Sequence, residues 1–185
     1  MNKQYVCLKE PETQESLLRW WYLLNERRGD RARLRRAEGP DDVLLSEPFF
    51  HFLQQMPEEW ASPKPYRLQT SALVAAALSH VKQHQEGKHF AAQLAAPKGE
   101  KAKMSELRFE QLQKSRSPEE FLRRLRRAIC LLDGKADVLY LADGILLWMN
   151  EYRDGVDRKP ANRFAVRWAV EYYKALANLS KNKEE

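Results

Sequence analysis

A chain of 185 residues, 43% of them hydrophobic, is long enough for one sizeable core or two small ones and too apolar for a disordered tail. Its formal charge of +6 comes from 32 basic and 26 acidic residues, and no run reaches the roughly 18 apolar residues of a membrane span. Cys7 and Cys130 supply neither a disulfide framework nor metal-ligand spacing, and the first five residues hold no signal-peptide core, so a cytoplasmic protein with buried thiols is expected.

Helical spacing recurs along the chain, while Val and Ile are sparse and no segment alternates apolar and polar residues for long. Thr13 to Leu24 reads as the first helix, with Leu17, Trp20, Trp21 and Leu24 on or near one face. Gly29 reads as its break and Asp30 as the N-cap of an arginine-rich helix that Gly39-Pro40 ends. Asp41-Asp42 opens a short helix. Ser46 opens the next, with Pro48 near its start and Phe49, Phe50, Phe52, Leu53 and Met56 as core. Met56 to Pro65 reads as a proline-rich loop in which Trp60 is the aromatic freest to meet a partner. An alanine-rich helix from about Tyr66 to His84, with Leu73, Val74, Leu78 and Val81, is the expected buried centre of the first half.

Gln85 to Lys103 holds Gly87, Pro97, Gly99 and several lysines, which predicts a loop with one short helix and a domain boundary. A helix from Ser105 carries Leu107, Phe109 and Leu112. Ser117-Pro118-Glu119-Glu120 is a capping box, and its helix runs to about Leu132 and stops at Gly134. On that helix Phe121, Leu125, Ala128, Ile129 and Leu132 share one face, while Arg123 and Arg127 point the opposite way. Asp137 caps a helix to about Asn150 with Leu141, Ile145 and Trp148 inward. A last helix from about Pro160 to Leu179 spaces Phe164, Trp168, Tyr172 and Leu176 four apart, and the Lys/Glu tail from Lys181 reads as frayed. The expected fold class is all-α: two small helical bundles, residues 1–97 and 98–185, packed as an elongated two-lobed protein.

Charge carries the functional signal. Six of the ten residues from Arg27 to Arg36 are arginine and one, Asp30, is acidic. Such a block is costly to assemble on a surface unless an anion neutralises it. A second block, Arg123-Arg124-Leu125-Arg126-Arg127, repeats the Leu-Arg-Arg signature, and Lys98 to Arg127 carries ten basic against five acidic residues. Arginine outnumbers lysine 18 to 14, which favours bidentate phosphate recognition. Two arginine-rich helices in two halves point to one polyanion lying across both. The competing reading is a solvated face with Glu119 and Glu120 in helical reach of Arg123.

Catalytic signatures are missing. The chain has no phosphate-binding loop, no dinucleotide fingerprint and no nucleophile elbow. His80 and His84, four apart, lack the glutamate of a zincin and any nearby cysteine, so no metal and no other cofactor is expected. Carboxylates that the fold brings together remain the one route to a metal-dependent nuclease.

The order of these motifs resembles the CasB family, the small subunit of the type I-E CRISPR surveillance complex Cascade. The resemblance rests on Trp20-Trp21, on Arg31-Ala32-Arg33-Leu34-Arg35-Arg36 and on Phe49-Phe50-x-Phe52-Leu53. It continues through Leu107-Arg108-Phe109-x-x-Leu112, Leu122-Arg123-Arg124-Leu125-Arg126-Arg127 and Leu141-x-x-x-Ile145-Leu146-Leu147-Trp148, and it closes on Arg163-x-x-x-Arg167-Trp168-Ala169-x-x-Tyr172-Tyr173. Between Arg163 and Arg167 stand Phe164, Ala165 and Val166, where relatives often carry more basic residues.

The resemblance implies a non-enzymatic protein of two helical bundles that assembles head to tail with a second copy. Its other implied partners are the large subunit and the guide-RNA-binding backbone subunits, the target and displaced DNA strands and, as a further contact, the guide RNA, with no membrane involved. Carried over by position, the implied nucleic-acid-binding residues are Arg31, Arg33, Arg35 and Arg36 in the first half and Arg108, Arg123, Arg126 and Arg127 in the second. Lys98, Lys101 and Lys103 are secondary candidates, in a stretch that the family varies. The alternative is a pure scaffold whose basic surface pairs with acidic neighbours.

Overall fold

The computed structural model describes residues 5–181. The first four residues and the tail beyond Lys181 lie outside the described residues. The chain is all-α, with ten α-helices and four two-residue strands among the described residues.

Helix α1 (Pro11–Glu26) opens on a proline at its first position and buries Leu17, Trp20, Trp21 and Leu24. Helix α2 (Arg28–Arg36) begins one residue before Gly29, so the glycine lies inside it and Asp30 sits in its first turn instead of capping it. The Asp30 carboxylate meets His51 Nδ1 at 2.7 Å, a contact with α4 that holds it away from the cap position. Helix α3 (Pro40–Leu44) opens on Pro40 itself, one residue ahead of the expected Asp41-Asp42 start, and α4 (Glu47–Gln55) follows with Pro48 in its first turn as predicted. Phe49 and Phe52 face inward on α4, whereas Phe50, one residue round the helix from Phe49, is 55% exposed. Phe50 is therefore not core.

The proline-rich segment folds into a 3-10 turn (Glu58–Ala61) that buries Trp60 to 7% exposure. The Trp60 ring stands edge-on to Phe52 at 5.7 Å, and Ser71 Oγ donates to the Trp60 carbonyl at 2.8 Å. Trp60 is a core residue that pins the turn to α5, so it is not the free aromatic expected from the loop.

Helix α5 (Pro65–Leu78) is fully buried from Ala72 to Leu78 and ends six residues before His84. Beyond it the chain turns out to form β1 (Gln83–His84), so His80 and His84 do not share a helix. Strand β1 pairs in parallel with β4 (Lys135–Ala136), Gln83 opposite Lys135. Helix α6 (Phe90–Ala95) precedes β2 (Pro97–Lys98) and β3 (Lys101–Ala102), an antiparallel pair within which the expected boundary at residues 97/98 falls.

Helix α7 (Glu106–Gln113) is capped by the Ser105 hydroxyl, which accepts from Arg108 N at 3.5 Å. Phe109 and Leu112 turn inward, and Leu107, on the opposite side from Phe109, is 64% exposed. Helix α8 (Pro118–Leu131) opens on Ser117, whose hydroxyl accepts from Glu120 N at 3.1 Å. The Glu120 carboxylate reaches back to Arg116 N at 2.7 Å, one residue beyond the capping serine. Cys130 lies one turn past Arg127 on the solvent face of α8 and is exposed, and Cys7 is only partly buried. The expectation of two buried thiols thus fails because Cys130 shares the face of the arginines. The helix stops at Asp133 and Gly134, both at positive φ, and the Gly134 carbonyl accepts from Lys82 N and Gln83 N.

Helix α9 (Val138–Asp154) is capped by Asp137, which accepts from Leu139 N and Tyr140 N and also from Gly87 N at 2.7 Å. Mid-helix, the Asp143 carboxylate accepts from the backbone of Val6, Cys7 and Leu8 at 3.1, 2.7 and 2.9 Å, which ties the start of the described chain to α9. Beyond a 3-10 turn (Pro160–Asn162), helix α10 (Phe164–Lys181) packs against α6. Helix α5 touches α3 and also α8 and α9, and one connected set of buried residues extends from Tyr5 to Tyr172.

Helices α9 and α10 approach closely at Gly144. A Cβ there would come 2.6 Å from Trp168 Cζ2. The ring is buried and cannot swing aside, so Gly144→Ala is expected to destabilise the fold by about 1–3 kcal/mol, read as a lower midpoint in urea without loss of helical signal in water.

Candidate nucleic-acid interface

Leu34 is the one buried side chain of α2 and fixes which way the helix faces. Arg31, three residues earlier, lies on the same side and is drawn inward. Its guanidinium donates to the Ser79 carbonyl at 3.0 Å, to the Val81 carbonyl and to Asn25 Oδ1 at 2.6 Å. The two carbonyls lie just past the end of α5, so Arg31 ties α2 to the segment that leaves that helix. Burial and then the neighbouring Arg35 lower its pKa.

The rest of the block faces out. Arg33 is exposed and stands 3.5 Å from Glu47. Arg35 and Arg36 are exposed, and no carboxylate among the described residues pairs with either.

Helix α8 is amphipathic, with Phe121, Leu122, Leu125, Ala128 and Ile129 buried. Arg123 and Arg127 are exposed, and no ion pair among the described residues engages them. The nearby glutamate is taken by Arg124 instead: Glu120 lies 2.8 Å from it at i,i+4, and Arg124 also donates to Ser115 Oγ and the Gln111 carbonyl. Glu119 turns away towards Gly39. Arg126 is half-buried and donates to the Ala37 carbonyl at 3.3 Å, just past the end of α2. This bond joins the two arginine blocks, 89 residues apart in sequence.

His80 marks the meeting point. Its ring is largely buried, and Nε2 has no hydrogen-bond partner. Burial, then Arg126, Arg35 and Arg31 in that order, push its pKa down to about 4. Cations from both blocks thus bear on one ring. Arg123 and Arg126 also wall a groove of about 490 Å³ with Glu38, Asp41, Asp42 and Glu119, so acidic groups flank this edge. Arg108, Arg124 and Arg127 wall a second groove of about 420 Å³ with Met104, Leu112 and Cys130.

The lysines lie elsewhere. Lys98 and Lys101 are exposed on the β2–β3 pair, and Lys103 lines a separate cavity with Lys88 and Arg167. The structure therefore sets Arg31, Arg35 and Arg126 within electrostatic reach of His80, turns Arg31 inward, and leaves Arg35, Arg36, Arg108, Arg123 and Arg127 to solvent. Arg124 and His80 escaped sequence reasoning as parts of the site. The i,i+4 spacing of Glu120 and Arg124 was the available signal for the first, and none existed for the second.

Two buried histidines make the fold acid-sensitive. His89, like His80, is held at about 4, by burial and then by Arg167. The unfolded chain takes up these protons near the ordinary histidine value of 6.5, ahead of the folded protein. Stability is therefore complete above that value and falls as pH drops towards 4. His80→Gln is expected to remove up to about 3 kcal/mol of this acid-side loss, measured by urea unfolding across that range.

The family model described as CRISPR-associated protein Cse2 matches residues 30–173 of the chain. It takes in the first arginine block from Asp30 onward and the whole of the second, and begins after the Trp20-Trp21 helix. No curated protein and no solved structure matches the chain.

Proposed function

The chain belongs to the CRISPR-associated Cse2 family, the CasB small subunit of the type I-E Cascade complex, and from that premise we propose that it is a non-catalytic subunit that stabilises the R-loop by holding DNA phosphates. The observation that carries this reading is the set of exposed arginines without carboxylate partners among the described residues, Arg35, Arg36, Arg123 and Arg127, on two helices joined through Arg126 and Ala37. Sequence-independent contacts suit the task. The guide supplies specificity, and R-loop formation is a nearly balanced exchange that a modest surplus of backbone contacts tips. The proposal includes assembly in the cytoplasm with the large subunit, the guide-RNA-binding backbone subunits and a second copy placed head to tail.

Binding of the isolated protein to DNA of unrelated sequences tests it. Affinity is expected to be similar across sequences and to fall steeply with salt, by a slope of about 0.9 per duplex phosphate contacted. A slope near zero favours the scaffold, in which the arginines pair with acidic neighbours. Cleavage of labelled DNA on adding magnesium or manganese would replace the non-catalytic reading with a nuclease.

A further inference from the structure

One cavity lies away from the arginine helices. It measures about 710 Å³, which suits a ligand of nucleotide size, and is bounded by the loop after β1, one face of α6, the first turn of α9 and the middle of α10. Its walls bring together three kinds of group. Lys88, Lys103 and Arg167 are cationic, against the single carboxylate of Glu171. Tyr140 and His89 present rings whose centroids are 5.1 Å apart, and the Ala92 and Ala96 methyls leave room beside them. His89 accepts from Ala91 N at Nδ1, 3.2 Å, so its neutral ring carries hydrogen on the other nitrogen and offers a donor.

A purely electrostatic surface needs no rings, and a purely apolar pocket needs no lysines. The combination matches a flat heterocycle attached to an anionic group. Ring faces and small side chains take a base, and the lysines take a phosphate. We infer that this cavity is a binding site for a nucleoside phosphate unit, supplied either as a free nucleotide or as one unstacked nucleotide of a nucleic-acid strand. The site is independent of the arginine helices, because none of Arg31 to Arg36 and none of Arg123 to Arg127 lines it.

Calorimetric titration of the full chain with AMP, adenosine, inorganic phosphate and an oligo(dA) single strand tests the inference. AMP is expected to bind at least about tenfold more tightly than either adenosine or phosphate, since the site engages both halves of the molecule. Ala92→Phe fills the space beside the rings without altering charge and is expected to abolish AMP binding. Should that variant unfold, Lys88→Gln/Lys103→Gln provides the second arm, with AMP affinity falling at least about tenfold. If the source is a strand, oligo(dA) competes with AMP, and Ala92→Phe weakens it too. If the source is a free nucleotide, the oligonucleotide does not compete. Absence of AMP binding, or equal binding of AMP and phosphate, overturns the inference. AMP binding that survives Arg35→Ala/Arg36→Ala separates this site from the R-loop reading, so either can fail without the other.

Discussion

Alanine at Arg35, Arg36, Arg123 and Arg127 together is expected to weaken DNA binding about 1000-fold at low salt and leave the melting temperature nearly unchanged. Each of these side chains is exposed, and none has an ion pair among the described residues. Their removal deletes no internal contact that the fold depends on, so the stability change should stay within about 0.5 kcal/mol per site. On the binding side, each lost phosphate contact is worth on the order of 1 kcal/mol in a wet interface and removes about 0.9 from the salt slope on duplex DNA. The loss should be equal for all sequences, because these contacts read no bases. Retention of both the affinity and the salt slope in the fourfold variant would remove the phosphate contacts from the proposal.

Arg31→Ala is expected to do the reverse and lower the melting temperature by about 5–15 °C. Its guanidinium satisfies the Ser79 and Val81 carbonyls just past α5 and the Asn25 side chain near the end of α1. Removing it strands acceptors in a half-buried place, at about 2–4 kcal/mol, and a chain of this length loses about 2–4 °C per kcal/mol. Arg31→Lys should recover only part of this, because an ammonium cannot span three acceptors held in the fork geometry of a guanidinium. A melting temperature that does not move, with DNA affinity reduced, would return Arg31 to the solvent-facing set. Arg31 and Arg35, four residues apart in one block, thus have opposite expected phenotypes.

Sequence patterning carried the helices a long way. Proline at the first turn marked α4 and α8, the Ser117 and Asp137 caps are formed as their spacing implied, and the apolar faces of α8 and α10 are the buried ones. These features are local, governed by backbone dihedrals and by hydrogen bonds to residues a few positions away. Errors arose where a residue type was taken for its environment. Phe50 and Leu107 are large and apolar, yet their helices turn them outward, while Trp60 sits in a proline-rich segment and is buried. The end of α5 was illegible because apolar spacing resumes at Val81, three residues past Leu78, whereas the pairing of β1 with β4 and the Arg31 bonds hold the chain there outside the helix.

For the interface, the sequence by itself determined that two arginine blocks exist, that they are helical, and that Arg123 and Arg127 oppose an apolar face. Helical periodicity and charge count are properties of consecutive residues, so a linear reading reaches them. Tertiary structure alone decided that Arg31 turns inward onto the Ser79 and Val81 carbonyls and that Arg35 and Arg126 bear on the same histidine. Electrostatic energy depends on distance through space, and the 89 residues between Ala37 and Arg126 say nothing of the 3.3 Å that separates their atoms in the folded chain.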